Sequence, residues 1–278
     1  MILPGNASCQ GCPISIVMRC LDEISNPVLA IPASCSTVIA GLHPKSAMKV
    51  PVVHVPFPST LAVAAGLSEA YKRLGVKANV VAWIGDGAAD IGFAALSASA
   101  ARKDDLITIV VDNEAYMNTG TQASLSTFWK AKTTTSPTGK TEERRNLALI
   151  MLAHKADYVA TASVGYIKDL RRKFRRAEEM KGFRFLQIHT PCPPGWKFPS
   201  EKTVEVARKA VMSGAWILWE YDGKLRLSKA GEKYALKENR IPLEDYLKQG
   251  RFSHLSDEEI RELEQKIDED WELLLRFS

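Results

Sequence analysis

What the sequence lacks narrows it first. No stretch approaches the roughly 18 consecutive apolar residues of a membrane-spanning helix. The opening residues, MILPGNASCQGCP, have no basic start followed by an apolar segment and a small-residue cleavage site. A cytoplasmic setting is therefore expected, one in which thiols stay reduced. The 37 Lys and Arg against 32 Asp and Glu leave a net charge of only +5, spread without a long basic block, so nothing points to nucleic acid. Internal repeats, low-complexity tracts and flexible linkers are missing too. Cysteine is scarce and odd in number, and five in 278 residues exclude a complete disulfide framework. What remains, 46% hydrophobic and 25% charged, is an ordinary globular chain able to bury its own core.

Periodicity gives the class. Residues 14–24 repeat apolar positions at helical spacing, and 59–74 form a helix that opens on a Ser or Thr cap and closes at Gly75. Short extended segments cover 27–32 and 50–55. Val80–Ile84 and Leu106–Val111 are apolar on both faces, with a helix from about Ile91 to Ala101 between them. Strand, helix, strand of this kind predicts a parallel sheet flanked by helices, an α/β fold. Further helices are expected over 147–155 and 167–181, and further strands over 158–162 and 185–189. Beyond Trp196 the composition becomes more charged, with a hairpin near Trp219–Leu227 turning at Asp222-Gly223 and a helix over 257–275. The expected organisation is a core over 1–196 and a C-terminal extension over 197–278 packed on it.

Chemistry concentrates where strands end. Gly85-Asp86-Gly87 follows one strand, and its glycines would let the backbone turn sharply and approach a ligand. Asp86 would offer a hard oxygen to a cation there. Twenty-five residues separate Gly87 from Asn113, enough for a helix and a returning strand, so both segments fall at neighbouring carboxyl ends of the sheet, where α/β proteins bind ligands. A carboxylate, an amide oxygen and a backbone carbonyl suit Mg²⁺ carrying a diphosphate, and Asp86, Asn113 and Ala115 supply that set.

The cysteines form a second pattern. Cys9 and Cys12 are a chelating pair, Cys35 follows after 22 residues, and Cys192 comes 156 residues later. Four thiolates suit tetrahedral zinc or a [4Fe–4S] cluster, and the pair alone would suit thiol redox chemistry. Cys20, on an apolar helix face, is expected to be a small core residue.

With GDG, the later Asn, the stretch VVDNEAYMNTGTQ and the following TTTSPTGK, the sequence from about Cys9 to Leu247 resembles the β subunit of 2-oxoacid:ferredoxin oxidoreductases. That resemblance implies a thiamine-diphosphate-binding fold. It implies that Asp86, Asn113 and the Ala115 carbonyl hold Mg²⁺, that Gly85, Gly87 and Ala88 shape the diphosphate site, and that Met117 and Asn118 lie beside the reactive end of the cofactor, Asn118 being the catalytic candidate. Cys9, Cys12, Cys35 and Cys192 match the ligands of the family's proximal [4Fe–4S] cluster. The implied activity is oxidative decarboxylation of a 2-oxoacid, pyruvate first, to acyl-coenzyme A, with electrons passing to ferredoxin. An α subunit would supply the carboxylate for the pyrimidine side, and γ and ferredoxin-like δ subunits would complete the assembly. A non-redox thiamine decarboxylase would leave the four cysteines idle, and a zinc-stabilised binding subunit would make the GDG segment accidental.

Three departures from the family pattern stand out. GDGAADIG is one residue shorter than the usual GDGGTADIG, Phe57-Pro58-Ser59 replaces FEN, and Pro13 follows Cys12 where Gly is common. Other candidates are expected to be unremarkable. His54, His154 and His189 lack partner patterns, Lys140 is expected on a surface loop, and the basic helix Asp169–Lys181 is expected to be a solvated face that could dock an acidic subunit.

Overall fold

The computed structural model describes residues 1–277. In chain order it runs α1 (Pro13–Cys20), β1 (Pro27–Pro32), α2 (Cys35–Ala40), β2 (Val52–Val55), α3 (Thr60–Arg73), β3 (Asn79–Gly85), α4 (Asp86–Ile91), α5 (Phe93–Arg102), β4 (Leu106–Asp112), α6 (Leu147–Ala153), β5 (Tyr158–Ser163), α7 (Ile167–Glu179), β6 (Phe183–His189), α8 (Pro193–Trp196), α9 (Thr203–Met212), β7 (Trp219–Tyr221), β8 (Leu225–Leu227), α10 (Lys229–Ala235), α11 (Leu243–Leu247) and α12 (Asp257–Leu275). Eight strands form one sheet in the order β2-β1-β3-β4-β6-β5-β7-β8. Neighbours from β2 to β5 are parallel, and the β7–β8 hairpin adds two antiparallel strands at one edge.

The strands are apolar on both faces because helices cover both. On one side Val17, Met18, Leu170 and Phe174 from α1 and α7 pack on Trp83, Ile109 and Leu186. On the other, Leu61, Leu96 and Met151 from α3, α5 and α6 pack on Ala82, Val110 and Phe185. A third core, built on Trp196, Tyr246, Phe252 and Trp271, joins the C-terminal residues to the segment after β4. Among the described residues no helix is long and apolar enough to cross a membrane.

The sheet places four chain segments side by side. Moving along β1, β3, β4 and β6, which are consecutive neighbours, the carboxyl ends lead into Cys35, Asp86, Asn113 and Cys192. The chain steps from β1 outward to β2 and then crosses to β3 on the other side of β1. That reversal opens a crevice between the ends of β1 and β3.

Several expectations need correction. The helix after the GDG segment does not wait until Ile91, because α4 begins at Asp86 and breaks at Gly92 before α5. The first helix stops at Cys20 and tightens into a single turn over Leu21–Glu23. The basic helix α7 is solvated as expected, its four arginines 40–56% exposed, but each of them is ion-paired. Arg171 and Arg175 pair with Glu23, Arg172 with Glu220, Arg176 with Asp222, and Lys173 is fully buried against Asp169. Helices α9, α10 and α11 fill the charged region in which sequence periodicity indicated only a hairpin and a final helix.

Candidate active site

Two cavities adjoin at the carboxyl edge of the sheet. The first, about 150 Å³, is lined by Gly85, Asp86, Gly87, Ala88, Asn113, Ala115, Met117 and Asn118, so every residue expected at the cofactor faces one space. The second, about 70 Å³, is lined by Cys9, Cys12, Cys35 and Cys192. Ile14, Cys35, Asn113 and Asn118 line both.

The floor of the first cavity is an oxygen cluster. Asp86 is 1% exposed, its Oδ2 accepting from Ser124 Oγ at 2.6 Å and its Oδ1 from the Asn113 amide N–H at 3.4 Å. Burial, reinforced by the Asp112 carboxylate, pushes the Asp86 carboxyl well above the usual range. Gln187 donates to Asp112 at 2.6 Å, yet burial and Glu114 still push Asp112 upward. A concentration of buried acids like this calls for a cation. The Asn113 carboxamide meets it in either of two ways. With its nitrogen inward it donates to Asp86 Oδ1 at 3.3 Å and to the Ala115 carbonyl at 2.9 Å. With its oxygen inward three oxygens face one another, an arrangement stable only around a positive ion. Carboxylate, amide and carbonyl oxygens within this reach are the donor set that Mg²⁺ takes, so the residues fit that ion.

Neither glycine is needed for backbone freedom, and only Gly87 is needed for its size. Gly85 has extended dihedrals (φ −90°, ψ 168°) that any residue adopts, and a Cβ there would meet nothing closer than 3.9 Å. At Gly87 a Cβ would lie 2.5 Å from the ring of Tyr116, so this glycine is the seat on which Tyr116 rests. Tyr116 also stands 6.4 Å from the ring of Phe57, and the two rings form part of the cavity wall. In the shorter GDGAADIG segment α4 starts at Asp86 itself, and Gly85, Asp86, Gly87 and Ala88 line the cavity.

The four thiols approach from three helix starts. Cys12 caps α1, Cys35 is the first residue of α2, and Cys192 caps α8. Pro13 fits the first helical position because its missing N–H would be unpaired there anyway. Gly11 has φ +71° and lies against the Ser200 carbonyl, where a Cβ would come within 2.3 Å, so Cys9-Gln-Gly-Cys12 needs glycine at that point. Burial pushes Cys35 up to about 12 and Cys192 up to about 11, and each of these thiols also feels Cys9 and Cys12. Backbone N–H groups of Ile14 and Ser15 at Cys12, and of Gly195 at Cys192, act in the opposite sense. Among the described residues no three His, Cys, Asp or Glu side chains converge closely enough for a single metal ion. The four cysteines line one cavity.

The other candidates resolve into structure. Cys20 is fully buried and donates to the Ile16 carbonyl at 3.3 Å. Lys140 is not on the surface: 4% exposed, it donates to the Thr127 carbonyl at 3.1 Å and to those of Leu125 and Glu143 at 3.4 Å, stapling the irregular stretch between β4 and α6. His54 is satisfied by Thr37 and Gly41, and His154 by Ser97. His189 is buried between Trp196 and Trp216. Sequence reasoning missed Tyr116 in the first cavity, Ser124, which donates to Asp86, and the buried pair of Glu114 with Arg251 behind it. An acid directly after Asn113, at the end of an apolar strand, was the available signal for the last.

Comparison with known proteins gives the family. Residues 33–188 match the family described as thiamine pyrophosphate enzyme, C-terminal TPP binding domain. The matched span contains Asp86, Asn113 and Cys35 but ends before Cys192 and starts after Cys9 and Cys12. Over 99% of its length the chain is 41% identical to the ketoisovalerate oxidoreductase subunit VorB of Pyrococcus abyssi, covering 92% of that protein. It is 42% identical over 96% of its length to the pyruvate synthase subunit PorB of Methanothermobacter thermautotrophicus, covering 94% of it. The fold is shared with a 2-oxoglutarate:ferredoxin oxidoreductase from Magnetococcus marinus, at a TM-score of 0.60 and 22% identity over 73% of this chain and 77% of that one. The chain belongs to the β subunits of the 2-oxoacid:ferredoxin oxidoreductase family.

Proposed function

We propose that this β subunit binds thiamine diphosphate with Mg²⁺ in the first cavity and a [4Fe–4S] cluster in the second, and that it serves oxidative decarboxylation of a 2-oxoacid to acyl-coenzyme A, with electrons leaving toward ferredoxin. The observation that carries the proposal is the shared wall: Ile14, Cys35, Asn113 and Asn118 border both cavities, so an electron has only one layer of side chains to cross. When bound, thiamine diphosphate supplies the carbon nucleophile and electron sink for decarboxylation, and the cluster supplies a one-electron acceptor.

The chain's own residues do the rest. Asp86, Asn113 and the Ala115 carbonyl would hold the metal, and Gly85, Gly87 and Ala88 would admit the diphosphate. Phe57, Tyr116 and Met117 narrow the space and exclude water. Asn118, exposed at the junction of the two cavities, is available to hydrogen-bond a substrate oxygen or the cofactor. Asp86 is the one carboxylate among the residues lining the first cavity, and it is committed to the metal position. The carboxylate needed at the pyrimidine end must therefore come from a partner, which supports a site completed by an α subunit, with γ and ferredoxin-like δ subunits carrying electrons on. A zinc-stabilised binding subunit is the alternative reading of the four thiols, and metal analysis separates the two.

Pyruvate is placed first as substrate on the resemblance and 2-ketoisovalerate second on the similarity to the Pyrococcus protein. The complex reconstituted with its partner subunits, assayed with a viologen acceptor and coenzyme A against pyruvate, 2-ketoisovalerate and aryl 2-oxoacids, tests both levels. Activity with any of them supports the reaction class, the preferred one names the substrate, and no coenzyme A-dependent viologen reduction with any overturns the proposal.

A further inference from the structure

One residue that lines neither cavity links the two. Arg251, in the tight turn Gly250–Phe252 of the C-terminal extension, is 3% exposed and donates from Nη1 to Glu114 Oε2 at 2.7 Å. Its own position is fixed from several sides. Nε donates to Gln249 at 2.9 Å, Nη2 to the Tyr246 hydroxyl at 3.2 Å, and its carbonyl accepts from the Lys132 amide at 3.0 Å. The guanidinium lies 3.4 Å from the ring centroid of Trp196. Trp196 in turn donates from Nε1 to the Asn113 carbonyl at 2.9 Å, and from its amide to the Cys192 carbonyl at 2.8 Å.

Glu114 is the residue under tension. It lies between Asn113 and Ala115 and adopts φ +58°, a left-handed conformation that a side-chain-bearing residue keeps only when its surroundings hold it. That conformation aims the Asn113 side chain and the Ala115 carbonyl at the same point beside Asp86. If Glu114 relaxed, the peptides on either side would rotate and the two oxygens would diverge. Thr127 Oγ1 grips the Glu114 carbonyl, and Arg251 grips its carboxylate.

We propose that Arg251 is a positioning residue for the metal–diphosphate site: by anchoring Glu114 it holds Asn113 and Ala115 in the geometry that binds Mg²⁺, and through Trp196 it couples that geometry to the Cys192 segment. It touches neither substrate nor cofactor. Its role rests on the assignment of Asp86, Asn113 and Ala115 to a magnesium-bound diphosphate. Outer partners of this kind typically change metal affinity by about 10–100-fold.

The test uses the assembled complex stripped of cofactor, with thiamine diphosphate binding followed by tryptophan quenching as Mg²⁺ is varied. Arg251→Met is expected to raise the half-saturating Mg²⁺ concentration at least about tenfold. Glu114→Gln should move it in the same direction, and the double variant should be no worse than the poorer single. Saturating Mg²⁺ should restore binding, which a merely loosened fold would not allow. If Asp86→Ala abolishes binding while Arg251→Met keeps the wild-type Mg²⁺ requirement, Arg251 is not a positioning residue. If Asp86→Ala itself binds normally, the magnesium assignment fails first. Should the Arg251→Met complex not assemble, Trp196→Phe carries the same expectation through the lost bond to Asn113, and an unchanged Mg²⁺ requirement there overturns the proposal.

Discussion

The indole N–H of Trp196 meets the carbonyl of Asn113 across 2.9 Å. The first residue closes the helix capped by Cys192, and the second directly follows β4 with its side chain among the oxygens beside Asp86. A hydrogen bond inside the protein thus joins the thiol side of the site to the oxygen side, and a shift in one must be felt in the other.

Asp86→Ala is expected to lose thiamine diphosphate affinity by at least about a hundredfold, roughly 3 kcal/mol. Iron content should stay unchanged, because neither hydrogen bond that this carboxylate accepts, from Ser124 and from the Asn113 backbone amide, involves a cysteine. Cofactor released on denaturation, assayed beside iron in the same preparation, checks both halves.

Among the cysteines, Cys12→Ser, Cys35→Ser and Cys192→Ser should each lower the iron bound per chain, since the three line one cavity. Cys20→Ala should leave iron intact. Its thiol is buried in the core and donates to the Ile16 carbonyl, so the variant should cost about 1 kcal/mol of stability. Equal iron loss in Cys20→Ala and Cys12→Ser would contradict the division of the five into four and one.

Gly87→Ala puts a methyl 2.5 Å from the Tyr116 ring, where overpacking costs about 1–3 kcal/mol unless the ring moves. Gly85→Ala meets no atom within 3.9 Å and should fold normally. Thermal unfolding of the two variants should therefore separate them, with only Gly87→Ala lowering the midpoint by several degrees.

Acid stability has a local source in α12. Ser256 and Glu259 form a reciprocal cap, and the Ser256 backbone amide, followed by Lys130, draws the Glu259 carboxyl down to about 2. A carboxylate depressed in the folded state adds stability that is fully present above its unfolded value, roughly 4.3, and is lost as pH falls toward 2. Glu259→Gln should flatten the stability profile in that window and leave it parallel to wild type above pH 5 or so. Ser256→Ala should in addition cost about 1 kcal/mol at neutral pH.

Much of this was legible in the sequence because it lies in short-range pattern. Val80–Ile84 and Leu106–Val111 are apolar on both faces and end in Asp86 and Asn113, so a parallel sheet with chemistry at its carboxyl edge follows from hydrophobicity alone. The cysteines could be grouped by spacing, but which cavity they share depends on β1 and β6 lying either side of β3 and β4, a fact of sheet order. Other features depend on partners distant along the chain. Arg251 and Glu114 are 137 residues apart. Lys140 looks like a loop lysine until the stretch around it folds back and offers three carbonyls. The neutralisation of α7 was hidden because Glu23, Glu220 and Asp222 come from two distant places, the turn after α1 and the β7–β8 hairpin. The helix start at Asp86 was hidden by glycines that usually signal a loop.

The central claim is that one chain carries a redox cluster against its thiamine site, and the most direct measurement is the metal content of the anaerobically purified protein. The account predicts brown protein with about four iron atoms and about four acid-labile sulfides per chain, falling in Cys35→Ser. Colourless protein with one zinc per chain, or iron and sulfide unaffected by Cys35→Ser, would contradict it.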